Sequence, residues 1–180
     1  MFYEKIGIIG CGSLGASLAF WISILQKENA ICQKLILMDA DSITHLPYLI
    51  NSSPKILGKS KVIILKNIIQ NIDSPLEIEI YQKLYFDINP EKCFINALTI
   101  DCRDSTSCNL QIDVKLHYDG DTGYVIFNPG IHETSIESPY QYGQSNFNAL
   151  RIAGDMLDLI LTSDINKEAQ YVIRRHNNSA

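Results

Sequence analysis

This sequence lacks the features that define several specialised classes of protein. Its five cysteines include no CxxC pair and its N-terminus does not resemble a cleavable signal, so we expect free thiols in a reducing cytoplasm. The 15 lysines and arginines are outnumbered by 20 aspartates and glutamates and are scattered, which disfavours nucleic-acid and membrane-surface ligands. The apolar stretch 14–25 is shorter than the ~20 residues of a membrane span.

What remains is the composition of an ordinary globular protein. Apolar residues make up 46% of the 180 residues and charged residues 19%, which suits one domain with a sizeable core. From Thr162 onward the chain turns polar. We therefore predict one folded domain over residues 1–165 and a polar tail over 166–180 with a frayed end.

The beginning of the chain carries a motif typical of nucleotide-phosphate loops. An apolar strand starting near Lys5 runs into Gly10-x-Gly12-x-x-Gly15, and an apolar helix follows. Glycines at this spacing permit a tight strand-to-helix turn and let backbone N–H groups approach a phosphate at the helix N-terminus. The spacing predicts a phosphate loop at residues 10–15; a purely structural glycine-rich turn is the alternative.

A second apolar run, residues 34–38, predicts a buried parallel strand that ends in Asp39. Asp39 follows the glycine loop near the ~20-residue spacing at which a carboxylate binds the ribose of a nucleotide. We favour that role. The alternative is a helix or turn cap, because Asp39, Asp41 and Ser42 all suit one.

Two further segments carry charged residues that fit a phosphate site. An amphipathic helix over 59–72 has Lys61 in its first turn, where a cation opposes the helix dipole; a phosphate partner or simple solvation would explain it. A strand ending at Asp101 leads into Asp101-Cys-Arg-Asp104, at the sheet edge where open α/β proteins bind ligands. A carboxylate there could bind Mg²⁺. The alternative is an ion pair between Arg103 and a helix-capping Asp104.

The remaining pattern predicts an α/β fold: a Rossmann-like three-layer domain with a mostly parallel sheet and a C-terminal β-hairpin and helix extension. A loop is expected over 42–58 and a third strand over 75–86. Strands over 111–118 and 124–127 flank a turn at 119–123. A long surface loop over 128–145 precedes a closing helix over 147–161.

In this order the motifs resemble those of the ThiF/MoeB/ubiquitin-activating-enzyme superfamily. That family shows a GxGxLG loop, a D-x-D pair, a G-x-x-K-V helix start, a D-C-x-D segment and a later G-x-V-x-V-F-x-P-G strand. The corresponding stretches here are Gly10-Cys-Gly-Ser-Leu-Gly15, Asp39-Ala-Asp41, Gly58-Lys-Ser-Lys61-Val, Asp101-Cys-Arg-Asp104 and Gly123-Tyr-Val-Ile-Phe-Asn-Pro-Gly130.

The resemblance implies an enzyme that binds ATP and Mg²⁺ and adenylates the C-terminal carboxylate of a ubiquitin-like or sulfur-carrier protein, usually as a homodimer. It implies that Asp39 holds the ribose with Asp41 in the same nucleotide site. Lys61 would meet the phosphates and Asp104 the metal, and both would serve catalysis. The nucleotide would be bordered by Gly10, Gly12, Ser13 and Gly15.

The sequence also departs from that family. Residues 45–51 contain no arginine where the family carries one that reaches the phosphates, the usual N-terminal helix with its arginine is missing, and no cysteine follows Cys108. Two other hypotheses therefore stay open. One is an NAD-binding oxidoreductase domain, which the glycine loop and Asp39 fit equally well. The other is a catalytically inactive ThiF-like scaffold that binds a partner through the 128–145 loop.

Overall fold

The computed structural model describes residues 2–49, 51–72, 74–84, 90–103, 112–119, 122–129 and 146–174. Strands and helices alternate from Tyr3 to Asp101, and one turn of 3-10 helix lies at Pro54–Ile56. The elements are β1 (Tyr3–Ile9), α1 (Ser13–Leu25), β2 (Cys32–Met38), α2 (Lys61–Asn71), β3 (Glu77–Tyr81), α3 (Pro90–Cys93), β4 (Ala97–Asp101), β5 (Val114–Asp119), β6 (Thr122–Phe127), α4 (Asn146–Thr162) and β7 (Ala169–Arg174).

The strands form one sheet in the order β3-β2-β1-β4-β5-β6-β7. The first five strands in this order, β3-β2-β1-β4-β5, are parallel to one another. Strand β6 pairs antiparallel with β5, and β7 pairs antiparallel with β6 at the edge of the sheet. The chain moves outward from β1 through β2 to β3 and then crosses back to β4 on the other side of β1. This reversal is the switch point at which open α/β sheets bind ligands, outside the carboxyl ends of the strands. The predicted Rossmann-like α/β class with a mostly parallel sheet is confirmed.

The main core lies between one face of the sheet and helices α1, α2 and α4. Alternate residues of β1 and β2 point into it, because successive side chains of a strand face opposite sides. Ile6 and Ile8 belong to this core, whereas Ile9 packs on the opposite face beside Phe94, which follows α3. Trp21 joins the two longest helices, since its ring Nε1 donates to the Leu150 carbonyl of α4 at 2.7 Å.

The elements differ from the predictions mainly in the C-terminal third. Ala169–Arg174, expected within a polar tail, form β7 and pair along their whole length with β6. The short helix α3 was not predicted from the sequence. Most of the expected loop at 128–145, and the tail beyond Arg174, lie outside the described residues. Within the described ranges, no helix is long and apolar enough to cross a membrane.

Candidate functional site

The glycine loop lies between β1 and α1, at the carboxyl edge of the sheet. Gly10 has a φ of +85°, and a Cβ there would lie 2.8 Å from Arg103 Cγ. A Cβ on Gly15 would lie 1.9 Å from the Gly10 carbonyl oxygen. The first and last glycines of the motif are therefore required by the conformation and packing of the protein itself.

Gly12 differs from the other two glycines of the motif. Its φ of −69° is available to any residue, and no heavy atom of the described residues would lie within 4 Å of an added Cβ. It is the N-cap of α1 and has no side chain with which to cap the helix, and the first turn of α1 holds no acidic residue. The positive end of the α1 dipole, which begins at Ser13, thus has no acidic side chain of its own first turn beside it, an arrangement that suits an anion.

Asp39 connects the end of β2 to the glycine loop. Its Oδ2 accepts a hydrogen bond from the Cys11 backbone N–H at 2.7 Å, and its Oδ1 accepts one from the Asp41 N–H at 2.7 Å. The second bond is the turn cap that the sequence allows as an alternative. Because a carboxylate offers about four acceptor positions, the capping role leaves Asp39 further acceptor capacity for a ligand hydroxyl.

Lys61, the first residue of α2, lies beside Asp39 and Asp41. Its Nζ lies 2.8 Å from Asp41 Oδ2 and 3.7 Å from Asp39 Oδ2. The side chain is 19% exposed, so Lys61 is not a freely solvated surface lysine. The cation that opposes the helix dipole is instead compensated by carboxylates. We call Asp39, Asp41 and Lys61 the β2 cluster; the structure brings these three predicted site residues together.

Tyr48 is a residue of this region that the sequence does not reveal. Its buried hydroxyl donates to the Cys11 carbonyl at 2.8 Å and lies 3.4 Å from the Lys61 carbonyl. Burial, aided by the nearby Cys11 and Asp39, raises the pKa of Tyr48 well above its usual value, so the phenol stays a donor. Tyr48 therefore ties the glycine loop to the start of α2. No local pattern indicates this role, because the contact spans 37 residues.

Cys11, inside the loop, is buried. Burial first, and then the charge of Asp39, raise the pKa of the Cys11 thiol well above its usual value. Its Sγ contacts the Met38 carbonyl at 3.8 Å. The thiol is therefore a packing group of the loop and not a nucleophile, since the reactive species of cysteine is the thiolate.

Asp101 ends β4 and accepts hydrogen bonds from two cations. Arg103 Nε and Nη2 donate to its two carboxylate oxygens at 2.9 and 3.0 Å, and Lys115 Nζ donates at 3.1 Å. Arg103 thus has Asp101 as a partner, two residues away, whose two oxygens chelate the guanidinium. Asp101 thereby holds both cations at the end of β4. The predicted alternative, an ion pair of Arg103 with Asp104, involves a residue outside the described ranges and stays a prediction.

The proposed metal ligand, Asp104, lies outside the described residues. Within the described ranges, no group of three or more His, Cys, Asp or Glu side chains is placed to hold a metal ion. Mg²⁺ in nucleotide sites uses one or two carboxylates together with the phosphates of the substrate. A magnesium role for Asp104 therefore stays a prediction.

No protein-family model and no curated protein matches this sequence. Solved structures do match its fold. PaaA shares 16% identity and superposes with a TM-score of 0.63 over 97% of this chain and 61% of PaaA. E. coli MccB, crystallised with ATP, shares 15% identity with a TM-score of 0.62 over 95% of this chain and 63% of MccB.

MccB has also been crystallised with AMPCPP and MccA, and that structure matches with 14% identity and a TM-score of 0.62. This chain spans about three fifths of the length of PaaA and MccB. At these identities the likeness concerns the fold. The chain thus has the Rossmann-like α/β fold of PaaA and E. coli MccB.

Proposed function

We propose that this chain is a ThiF-like domain that binds ATP at the glycine loop and adenylates the C-terminal carboxylate of a peptide, ubiquitin-like or sulfur-carrier protein. One observation carries the proposal: the β2 cluster adjoins a loop whose central glycine faces open space. A nucleotide needs both a backbone surface for its phosphates and an acceptor for its ribose. The fold of MccB, which was crystallised with ATP, supports the same ligand.

The groups of the site suggest how the nucleotide lies. Gly12 and the N-terminus of α1 would receive the phosphates, and Asp39 would accept hydrogen bonds from the ribose hydroxyls. Lys61 would then exchange its 2.8 Å contact with the exposed Asp41 for a phosphate oxygen. That exchange costs little, because an ion pair with an exposed carboxylate contributes at most about 1 kcal/mol.

The reaction joins two anions, so it depends on cations. A carboxylate oxygen of the acceptor attacks the α-phosphorus, the bond from that phosphorus to the bridging oxygen breaks, and pyrophosphate leaves with the electron pair. Charge builds up on the phosphate oxygens, where fixed donors and cations stabilise it most. In this chain Lys61 and the α1 N-terminus would serve that role. Mg²⁺ bound by the phosphates and Asp104 would supply further positive charge.

The proposed partner follows from the fold neighbours and from the motifs. MccB was crystallised together with MccA, and the family that the motifs resemble acts on protein C-termini. We therefore propose a peptide or carrier protein with a free C-terminal carboxylate. A homodimer, as is usual in that family, forms part of the same proposal.

Calorimetric titration with ATP plus Mg²⁺, and separately with NAD⁺, tests this proposal. Magnesium-dependent ATP binding that exceeds NAD⁺ affinity at least tenfold is expected. NAD⁺ binding alone would move the chain to the oxidoreductase class. If neither ligand binds, an inactive scaffold becomes the better account, and the nucleotide proposal is wrong.

A further inference from the structure

The side chains of Asp39 and Tyr48 hold two consecutive peptide groups of the glycine loop. Asp39 Oδ2 accepts a hydrogen bond from the Cys11 N–H at 2.7 Å, and the Tyr48 hydroxyl donates one to the Cys11 carbonyl at 2.8 Å. The same hydroxyl lies 3.4 Å from the carbonyl oxygen of Lys61. Tyr48 therefore adjoins both backbone segments of the proposed phosphate site, the glycine loop and the first residue of α2.

The hydrogen bond from Tyr48 determines the direction of the Gly12 N–H. In a planar trans peptide group, the carbonyl of one residue and the N–H of the next residue point in opposite directions. The peptide bond between Cys11 and Gly12 is trans. Because its oxygen points at the buried Tyr48 hydroxyl, its N–H points to the other side of the loop. The preceding peptide group follows the same rule, since its N–H points at Asp39 and its oxygen packs against the first turn of α1.

The glycine at position 12 makes this control necessary. Rotating the Cys11–Gly12 peptide group by half a turn exchanges its carbonyl and its N–H, and it moves the φ of Gly12 from −69° into the positive range. Glycine adopts positive φ about as readily as negative φ, so the backbone itself does not oppose the rotation. The rotated group would turn a carbonyl oxygen, with its partial negative charge, toward the position proposed for the phosphates. The Tyr48 hydroxyl opposes the rotation, because the rotation removes its acceptor.

The segment before α2 holds Tyr48 in a fixed place. Tyr48 is buried, and its backbone N–H and carbonyl exchange hydrogen bonds of 3.0 Å with Asn51. Leu49, which follows, is also buried and has a φ of +52°, a left-handed conformation that is unfavourable for a bulky side chain. Such a conformation persists only where the surrounding contacts impose it, and it is concentrated at functional sites. These contacts fix the position of the Tyr48 hydroxyl beside the loop.

We propose that Tyr48 is a positioning residue of the nucleotide site, whose hydroxyl holds the Cys11–Gly12 peptide group so that the Gly12 N–H donates a hydrogen bond to a phosphate oxygen of ATP. The inference rests on the proposed function for its ligand. Tyr48 does not contact the nucleotide in this arrangement and acts through the backbone of the loop. An N–H that is oriented before the ligand arrives spares the ordering cost of binding.

Tyr48→Phe in the full chain tests the inference, because it removes the hydroxyl and keeps the ring. Calorimetric titration with ATP, inorganic pyrophosphate and adenosine measures the affinities. The residual dipolar coupling of the Gly12 amide in the isotope-labelled chain reports the direction of its N–H. Trp21→Phe is the matched control, because it also takes a side-chain donor from a backbone carbonyl, that of Leu150 at 2.7 Å, about two turns of α1 away from the glycine loop.

We expect Tyr48→Phe to weaken ATP and pyrophosphate binding about tenfold or more, because hydrogen bonds to a charged phosphate are strong, and to change adenosine affinity less than about twofold. The Gly12 coupling should change in Tyr48→Phe without any ligand, and Trp21→Phe should alter neither the affinities nor the coupling. Equal losses for ATP and adenosine, an ATP loss no larger than that of Trp21→Phe, or an unchanged Gly12 coupling would overturn the inference.

The parent chain provides a second measurement if Tyr48→Phe lacks a cooperative thermal transition. A Gly12 N–H that keeps its direction when ATP binds supports the inference, and one that reverses its direction overturns it. A parent chain that binds neither ATP nor pyrophosphate would refute the proposed function and the phosphate role of Gly12 together. ATP binding by the parent chain that Tyr48→Phe leaves unchanged would overturn this inference alone.

Discussion

Gly12→Asp should change stability and ligand binding in opposite directions. The added Cβ meets no heavy atom within 4 Å in the part of the chain that the structure describes, and the φ of −69° is allowed for aspartate. Aspartate is a better N-cap than glycine by a few tenths of a kcal/mol, and its charge gains about 0.3–1 kcal/mol from the helix dipole. For a chain of this size, a gain near 1 kcal/mol raises the Tm by about 2–4 °C.

The same carboxylate would stand where the phosphates are proposed to bind. Two like charges at about 4 Å repel by roughly 4 kcal/mol at an effective dielectric constant of 20. ATP affinity should therefore fall at least ~100-fold, since each 1.4 kcal/mol is a factor of ten. Adenosine, which carries no phosphate, should lose much less affinity.

Gly12→Asn is the matched control, because it adds the same cap and nearly the same volume without the charge. Thermal unfolding and calorimetry on the two variants separate the effects. An ATP affinity unchanged by aspartate would refute the phosphate position. A loss of more than about 1.5 kcal/mol of stability in either variant would refute the claim that the space beside Gly12 is open. A side chain in open space should instead add the small capping gain given above.

Three further predictions concern neighbouring residues. Lys61→Met should lower ATP affinity more than adenosine affinity by calorimetry, whereas Lys59→Met should change neither; equal losses for both ligands would contradict the phosphate role of Lys61. Tyr48→Phe leaves the Cys11 carbonyl without its donor and should cost about 1–3 kcal/mol in urea unfolding, and a neutral result would show that this bond does not stabilise the loop. Burial raises the pKa of Asp113, so its ionisation destabilises the fold as the pH rises above about 4. Asp113→Asn should be more stable than the parent at pH 7 and lose that advantage near pH 3; an advantage that persists at pH 3 would contradict this cause.

The parts of the fold that the sequence predicts are those specified over short distances. The strand, glycine loop and helix of residues 3–25 follow from apolar periodicity, from the positive φ of the turn at Gly10 and from the packing of Gly15 on the Gly10 carbonyl. The convergence of Asp39 and Lys61 was predictable too, because the carboxyl ends of parallel strands and the helices that follow the loops meet at one edge.

The features that escaped prediction depend on contacts between distant residues. The sequence identifies Lys115 only as part of a strand, because its pairing with Asp101 depends on the β4–β5 register. Tyr48 lies in a segment without periodicity, so nothing local marks it as buried. Strand β7 did carry a signal in Tyr171-Val-Ile173, a run typical of strands, but the polar residues around it favoured a tail.

The central claim is that ATP binds with its phosphates at Gly12 and its ribose at Asp39, and amide chemical shifts of the isotope-labelled chain test it most directly. ATP with Mg²⁺ should shift the Cys11, Gly12 and Ser13 amides, together with those of Asp39 and Lys61. Adenosine should shift the signals near Asp39 and leave those of Gly12 and Ser13 in place. ATP-induced shifts confined to residues away from the glycine loop, or none at saturating ATP, would contradict the account.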